Sequence, residues 1–106
     1  MLGRNPPPLS AAEIAAALSD LPGWAREGDT LCKTYQLPTY AAGLIWATTI
    51  GTLAEGLDHH PDMLIGWKQV TVRFTTHSVG HKITINDVQA ARSIEALAFA
   101  QRLAAG

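Results

Sequence analysis

Apolar and polar positions change their period several times along the chain, and each change marks an element. Leu9, Ile14, Leu18 and Leu21 fall on one side of a helix that opens at Ser10 and stops before Pro22-Gly23. Ser10 and Glu13 stand at capping-box spacing: the hydroxyl accepts from the amide of Glu13, and the carboxylate reaches back to the amide of Ser10. This helix is predicted to end at about Leu18 or Ser19. Two short strands follow, over residues 24–27 and 30–37, with Gly28-Asp29 as their hairpin turn. In the second strand Leu31, Lys33, Tyr35 and Leu37 alternate with Cys32, Thr34 and Gln36.

Thr39 then caps the longest helix, predicted over residues 40–57. Leu44, Ala47, Ile50, Ala54 and Leu57 recur at helical spacing, and Ile45, Trp46 and Leu53 widen the stripe beyond one face. A helix apolar nearly all round is buried on more than one side. In so small a domain the second side is expected to meet a partner subunit. Pro61 ends the helical region and pushes His60 toward an extended backbone. A strand near residues 63–65, a turn at 66–68 and a longer strand over 69–76 come next. In that last strand Val70, Val72 and Phe74 alternate with Gln69, Thr71, Arg73 and Thr75, so its polar face is expected to meet water or a ligand. Residues 77–82 read as a loop. Thr84-Ile85-Asn86-Asp87 reads as an N-cap with an acid at the third helical position. The final helix is predicted to run to about residue 103, with Val88, Ala91, Ile94, Leu97 and Ala98 on one face, and residues 104–106 to fray. The order α-β-β-α-β-β-α implies an α+β fold: a four-stranded antiparallel sheet with three helices packed on one face.

Composition narrows the functional classes. The 106 residues fit one domain over residues 9–106, behind a flexible leader of residues 1–8 that Pro6-Pro7-Pro8 stiffens locally. Charged residues make up 16% of the chain, against roughly 25% in an ordinary soluble domain, which again suggests surface covered by another subunit. A formal net charge of -1 provides no basic field for nucleic acid or an anionic membrane. No apolar run approaches the roughly 18 residues of a membrane span, and no signal peptide is evident, so a cytoplasmic protein is expected. The lone cysteine, Cys32, permits no internal disulfide and reads as a small apolar strand residue rather than a nucleophile.

The chemistry-bearing residues are histidines at the ends of elements. His59 and His60 fall where the long helix stops, and His77 where the best strand stops. Imidazole exchanges protons near neutral pH, and convergent rings supply an acid and a base together. Two other readings stand beside this one. A His-His pair at a helix end also serves as a solvated cap near the dipole's negative end. A metal site from Asp58, His59, His60 and His77 lacks support, because adjacent side chains diverge and no zinc spacing is present. His81 lies in a turn and is expected to be exposed. Walker, GxSxG, CxxC and RNA-binding aromatic motifs are absent.

The segment Glu55-Gly56-Leu57-Asp58-His59-His60-Pro61, followed by Trp67, His77 and Asp87, resembles the signature of the pterin-4a-carbinolamine dehydratases. Every spacing matches through His77. The resemblance implies the sheet and helices already read. It also implies dimers joined edge to edge through their sheets, often paired into tetramers through the long helix. The implied activity is dehydration of 4a-hydroxytetrahydropterin to quinonoid dihydropterin, with no metal or organic cofactor. His59, His60 and His77 would then surround the pterin; one imidazolium would protonate the leaving 4a-hydroxyl and a neutral partner would take the N5 proton. Glu55, Pro61, Trp67 and Asp87 would join the substrate site. Each of three has a structural alternative: Trp67 packs the hairpin, Asp87 caps the last helix, and Glu55 faces water instead of orienting His59.

The sequence departs from the family pattern after His77, where nine residues rather than eight precede Asp87. That loop borders the implied pterin pocket. The fold also serves, in some relatives, as a dimerisation cofactor of a transcription factor or as a Rubisco assembly factor. A dehydratase is the leading expectation because all three histidines are retained. A non-catalytic binding protein or assembly factor with a protein client is the alternative, and a pterin sensor without turnover would use the same pocket.

Overall fold

A computed structural model describes residues 2–105, and the side chains of residues 2–98. Helix α1 spans Ala11–Leu18 and opens with the expected capping box between Ser10 and Glu13. Strands β1 (Ala25–Glu27) and β2 (Thr30–Gln36) pair antiparallel around Gly28-Asp29. Gly28 takes φ +61° at the first turn position, where a two-residue hairpin favours glycine. Helix α2 spans Tyr40–Leu57, with the Thr39 hydroxyl accepting from the amide of Ala42. Strands β3 (Asp62–Gly66) and β4 (Gln69–Phe74) form the second hairpin, and helix α3 spans Ile85–Ala105. Its last turn thus passes the predicted end at residue 103, while Gly106 lies outside the described residues.

The four strands form one antiparallel sheet in the order β1-β2-β4-β3, so the fold is the α+β arrangement read from the sequence. Its core lies on one face. Leu31 and Tyr35 of β2 and Val70, Val72 and Phe74 of β4 pack against Ile14 and Leu21, against Trp46 and Ile50 of α2, and against Val88 and Ile94 of α3. The period-2 alternation puts polar residues on the other face, where Thr34 meets Thr71 at 2.8 Å and Arg73 pairs with Glu27 at 2.8 Å.

Strand β4 ends two residues earlier than predicted. Thr76 leaves the ladder for an isolated antiparallel bridge with Lys82, and the chain makes a one-turn 3₁₀ helix over His77–Val79. The loop between β4 and α3 is therefore ordered by backbone pairing. It brings the end of β4 beside the start of α3, next to the C-terminus of α2.

Candidate active site

Helix α2 ends in a Schellman motif. The amide of His59 bonds the carbonyl of Ala54, the amide of Asp58 bonds that of Glu55, and Asp58 sits between them at φ 53°. Asp tolerates this left-handed region better than most side chains. The turn separates the two neighbouring histidines. His59 swings inward, buried, its ring stacked on Phe74 at 5.7 Å and 7°. His60 points outward and meets Glu55 through Nε2 at 2.8 Å.

His59 is fixed by a buried network. Its Nε2 lies 2.6 Å from Oδ1 of Asp87, which is fully buried at the start of α3. The other oxygen, Oδ2, accepts from the Thr76 hydroxyl and from the amide of Thr84, each at 2.8 Å. Because Thr76 donates to Asp87, the 2.7 Å contact between the Thr76 and Thr84 hydroxyls runs from Thr84 to Thr76. Thr84 Oγ1 in turn accepts from the amide of Asn86 at 3.1 Å. Each hydroxyl thus has one donor role and one acceptor role filled. A carboxylate can only accept, so the His59 proton facing Asp87 is on Nε2, and Nδ1 is the ring's other site for proton exchange.

A cleft of about 730 Å³ opens over this network. His59, His60, Pro61, His77 and Asn86 line it, and all three histidines singled out in the sequence therefore share one cavity. Two contributions were not anticipated. The first is the leader: residues Leu2, Gly3, Arg4 and Asn5 form part of the wall, and Asn86 Nδ2 donates to the carbonyl of Gly3 at 2.8 Å. The second is Asn86 Oδ1, which is buried with no protein partner among the described residues.

The remaining expectations divide. Pro61 lines the cleft. Asp87 caps α3 and does not itself line the cleft; its contact is with His59, which does. Glu55 bonds His60 rather than orienting His59. Trp67 is not brought to the cleft: it projects from the β3–β4 turn, exposed and stacked on Tyr40 at 6.5 Å. His81 is exposed as expected, but it contacts His77. Cys32 is buried; burial first, and then the Glu27 carboxylate, push its thiol above the ordinary range, which disfavours a thiolate. Among the described residues no group of three His, Cys, Asp or Glu side chains gathers as a metal site, and no helix is long and apolar enough to cross a membrane.

The result is a small α+β domain with a cleft lined by three histidines, one of which is anchored by a buried carboxylate. The comparisons specify the class further. The family model described as pterin 4 alpha carbinolamine dehydratase matches residues 7–97. A relative from Roseiflexus sp. (strain RS-1) that carries the pterin-4-alpha-carbinolamine dehydratase name is 41% identical over 87 residues, covering 82% of this chain and 92% of its own. One of the same name from Nocardia farcinica (strain IFM 10152) is 41% identical over 90 residues, covering 85% and 94%. The crystal structure of a transcriptional coactivator/pterin dehydratase from Brucella melitensis superposes with a TM-score of 0.78 at 26% identity, covering 85% of this chain and 97% of that one. A pterin dehydratase-like protein identified as a RuBisCO assembly factor in the alpha-carboxysome shares the fold, with a TM-score of 0.59 at 22% identity and coverage of 72% and 89%. The chain belongs to the pterin-4a-carbinolamine dehydratase family.

Proposed function

We propose that this protein dehydrates 4a-hydroxytetrahydropterin to quinonoid dihydropterin, recycling a pterin cofactor by histidine acid–base catalysis. The observation that carries this reading is the convergence of His59, His60 and His77 on one cleft, with His59 held by Asp87 at 2.6 Å. The reaction needs a proton delivered to the departing 4a-hydroxyl and another taken from N5. Imidazole rings on different walls of one cleft can divide those tasks. Arg4 and Asn5 of the leader extend the wall of the same cleft. No metal or organic cofactor enters this scheme.

We take the working unit to be a homo-oligomer in the cytoplasm. Tyr40, Leu44 and Ile45 on α2 and Leu64, Ile65 and Trp67 on the β3–β4 hairpin are exposed on the single chain, and a second copy would cover them. The same apolar surface favours a second reading, in which a non-catalytic family member binds a protein client.

The deciding experiment is the rate of 4a-hydroxytetrahydropterin dehydration with the parent chain, His59→Ala and His77→Ala, each checked for folding. Acid–base groups of this kind contribute about 10²–10⁴-fold. The parent is expected to accelerate the reaction and each substitution to remove most of that acceleration. A folded parent that leaves the spontaneous rate unchanged would sink the enzyme and favour the client-binding reading.

A further inference from the structure

The loop that carries His77 also carries a histidine that the family signature does not use. Gly80 and His81 both take left-handed backbone, at φ 77° and 60°, and this turn folds the His81 ring back onto His77. The rings meet edge to face with centroids 4.6 Å apart, and their Nδ1 atoms are 2.8 Å apart. Two imidazole nitrogens at that distance share one proton: one donates and the other accepts.

We infer that His81 is a positioning residue for His77, accepting its Nδ1–H and leaving His77 Nε2 as the atom that exchanges protons with the cleft. This rests on the reading of His77 as an acid–base group. When His77 is an imidazolium, Nδ1–H points to the His81 lone pair and Nε2–H is the proton available for donation. Once that proton is given up, the neutral ring keeps Nδ1–H on His81 and presents a lone pair at Nε2. The contact therefore survives both protonation states, and the ring need not turn over between them. The opposite arrangement, with His81 donating, breaks when His77 gains its second proton, because two N–H groups would then face each other.

The surroundings leave this task to His81. Among the described residues no carboxylate forms an ion pair with either ring. Lys82, the next residue, is drawn away to Asp29 at 3.3 Å. Arg4, Asp58, His59, His60 and Asp62 are the charged or titratable groups that line the same cleft. An orienting group on the far nitrogen of a working imidazole is what sets its tautomer.

The test is ¹⁵N NMR of the imidazole nitrogens in the substrate-free parent, His81→Ala and His81→Gln, with kcat and KM for the same proteins. In the neutral parent His77 is expected to carry its proton at Nδ1 and His81 at Nε2. His81→Ala should lose the Nδ1–H preference of His77 and lower kcat by about tenfold with KM little changed, the scale of an orienting partner. His81→Gln retains an acceptor and should restore both in part. A parent with both rings protonated at Nε2, or an active His81→Ala with unchanged kcat, overturns the assignment. Because the tautomer is read without substrate, a chain that shows it but turns over no pterin would refute the dehydratase reading and leave the pairing standing.

Discussion

Asp87 divides its two carboxylate oxygens between two elements. Oδ2 takes the Thr84 amide and the Thr76 hydroxyl, tying the start of α3 to the end of β4, while Oδ1 takes the His59 ring. Capping occupies only one oxygen, so the same carboxylate also anchors His59. Thr76→Val keeps the side-chain shape and removes the hydroxyl from this buried chain of donors. It is expected to cost about 1–3 kcal/mol, the range for leaving a buried acceptor short of a partner. A urea titration would measure it, and the dehydration rate should fall with it as His59 loosens. A variant as stable as the parent would show that the Thr84 amide alone satisfies Oδ2. The three histidines were legible because the signature fixes their spacing. The partner of Glu55 was not. On a continuous helix Glu55 would lie one turn from His59, but the left-handed Asp58 breaks the helix, turns His59 inward and leaves His60 facing Glu55.

At the scale of elements, α3 is locked to the sheet through one buried carboxylate. Glu95 Oε1 accepts from Lys33 Nζ at 2.6 Å, Tyr35 OH at 2.7 Å and Trp24 Nε1 at 3.1 Å. Burial works to raise the pKa of Glu95, but the hydrogen bonds from Lys33, Tyr35 and Trp24, with the Lys33 charge, outweigh it and hold the group below the usual carboxylate range. A folded-state pKa below the unfolded one means that the contribution is fully present above the unfolded value. It is lost as pH falls through the lower folded value. Stability measured by denaturant unfolding is therefore expected to drop on acidification below about pH 4.5, near the ordinary carboxylate value. Glu95→Ala, which leaves Lys33 largely buried without its counter-charge, should cost about 3–5 kcal/mol at neutral pH. It should also flatten the acid limb; an unchanged limb would assign the acid sensitivity to other carboxylates. This network was readable in principle. Lys33 stands on the inward phase of β2 between Leu31 and Tyr35, and Glu95 falls on the helical face of Ala91 and Ala98. Two opposite charges, each on an apolar phase, signal a buried pair, which the periodicity of either element taken alone does not join.

At the scale of the whole molecule, the element order and the sheet followed from periodicity, because strands of period two and amphipathic helices leave one economical packing. The leader did not follow. Gly3, Arg4 and Asn5 have no apolar spacing, and the contact that ties them to the cleft is a side-chain bond from Asn86 to the Gly3 carbonyl, which no periodicity marks. The apolar surface of α2 was legible as an excess, and on the single chain that excess remains exposed, with Ile45 at 68% and Trp67 at 74%. This exposure makes Ile45 a clean probe of the proposed assembly. In an isolated chain Ile45→Glu replaces one exposed helix residue by another and should change stability by no more than about 0.5 kcal/mol. In an assembly that buries the α2 face, the same change places an unpaired charge in an apolar interface. Sedimentation velocity of the parent is expected to show a dimer or tetramer, and of Ile45→Glu a smaller species with unchanged circular dichroism. A monomeric parent would remove the assembly altogether. An oligomer indifferent to Ile45→Glu would move the interface to another surface, with the polar sheet face around Thr34, Thr71 and Arg73 and the β1 edge as the next places to mutate, since their residues are exposed or half-buried on the single chain.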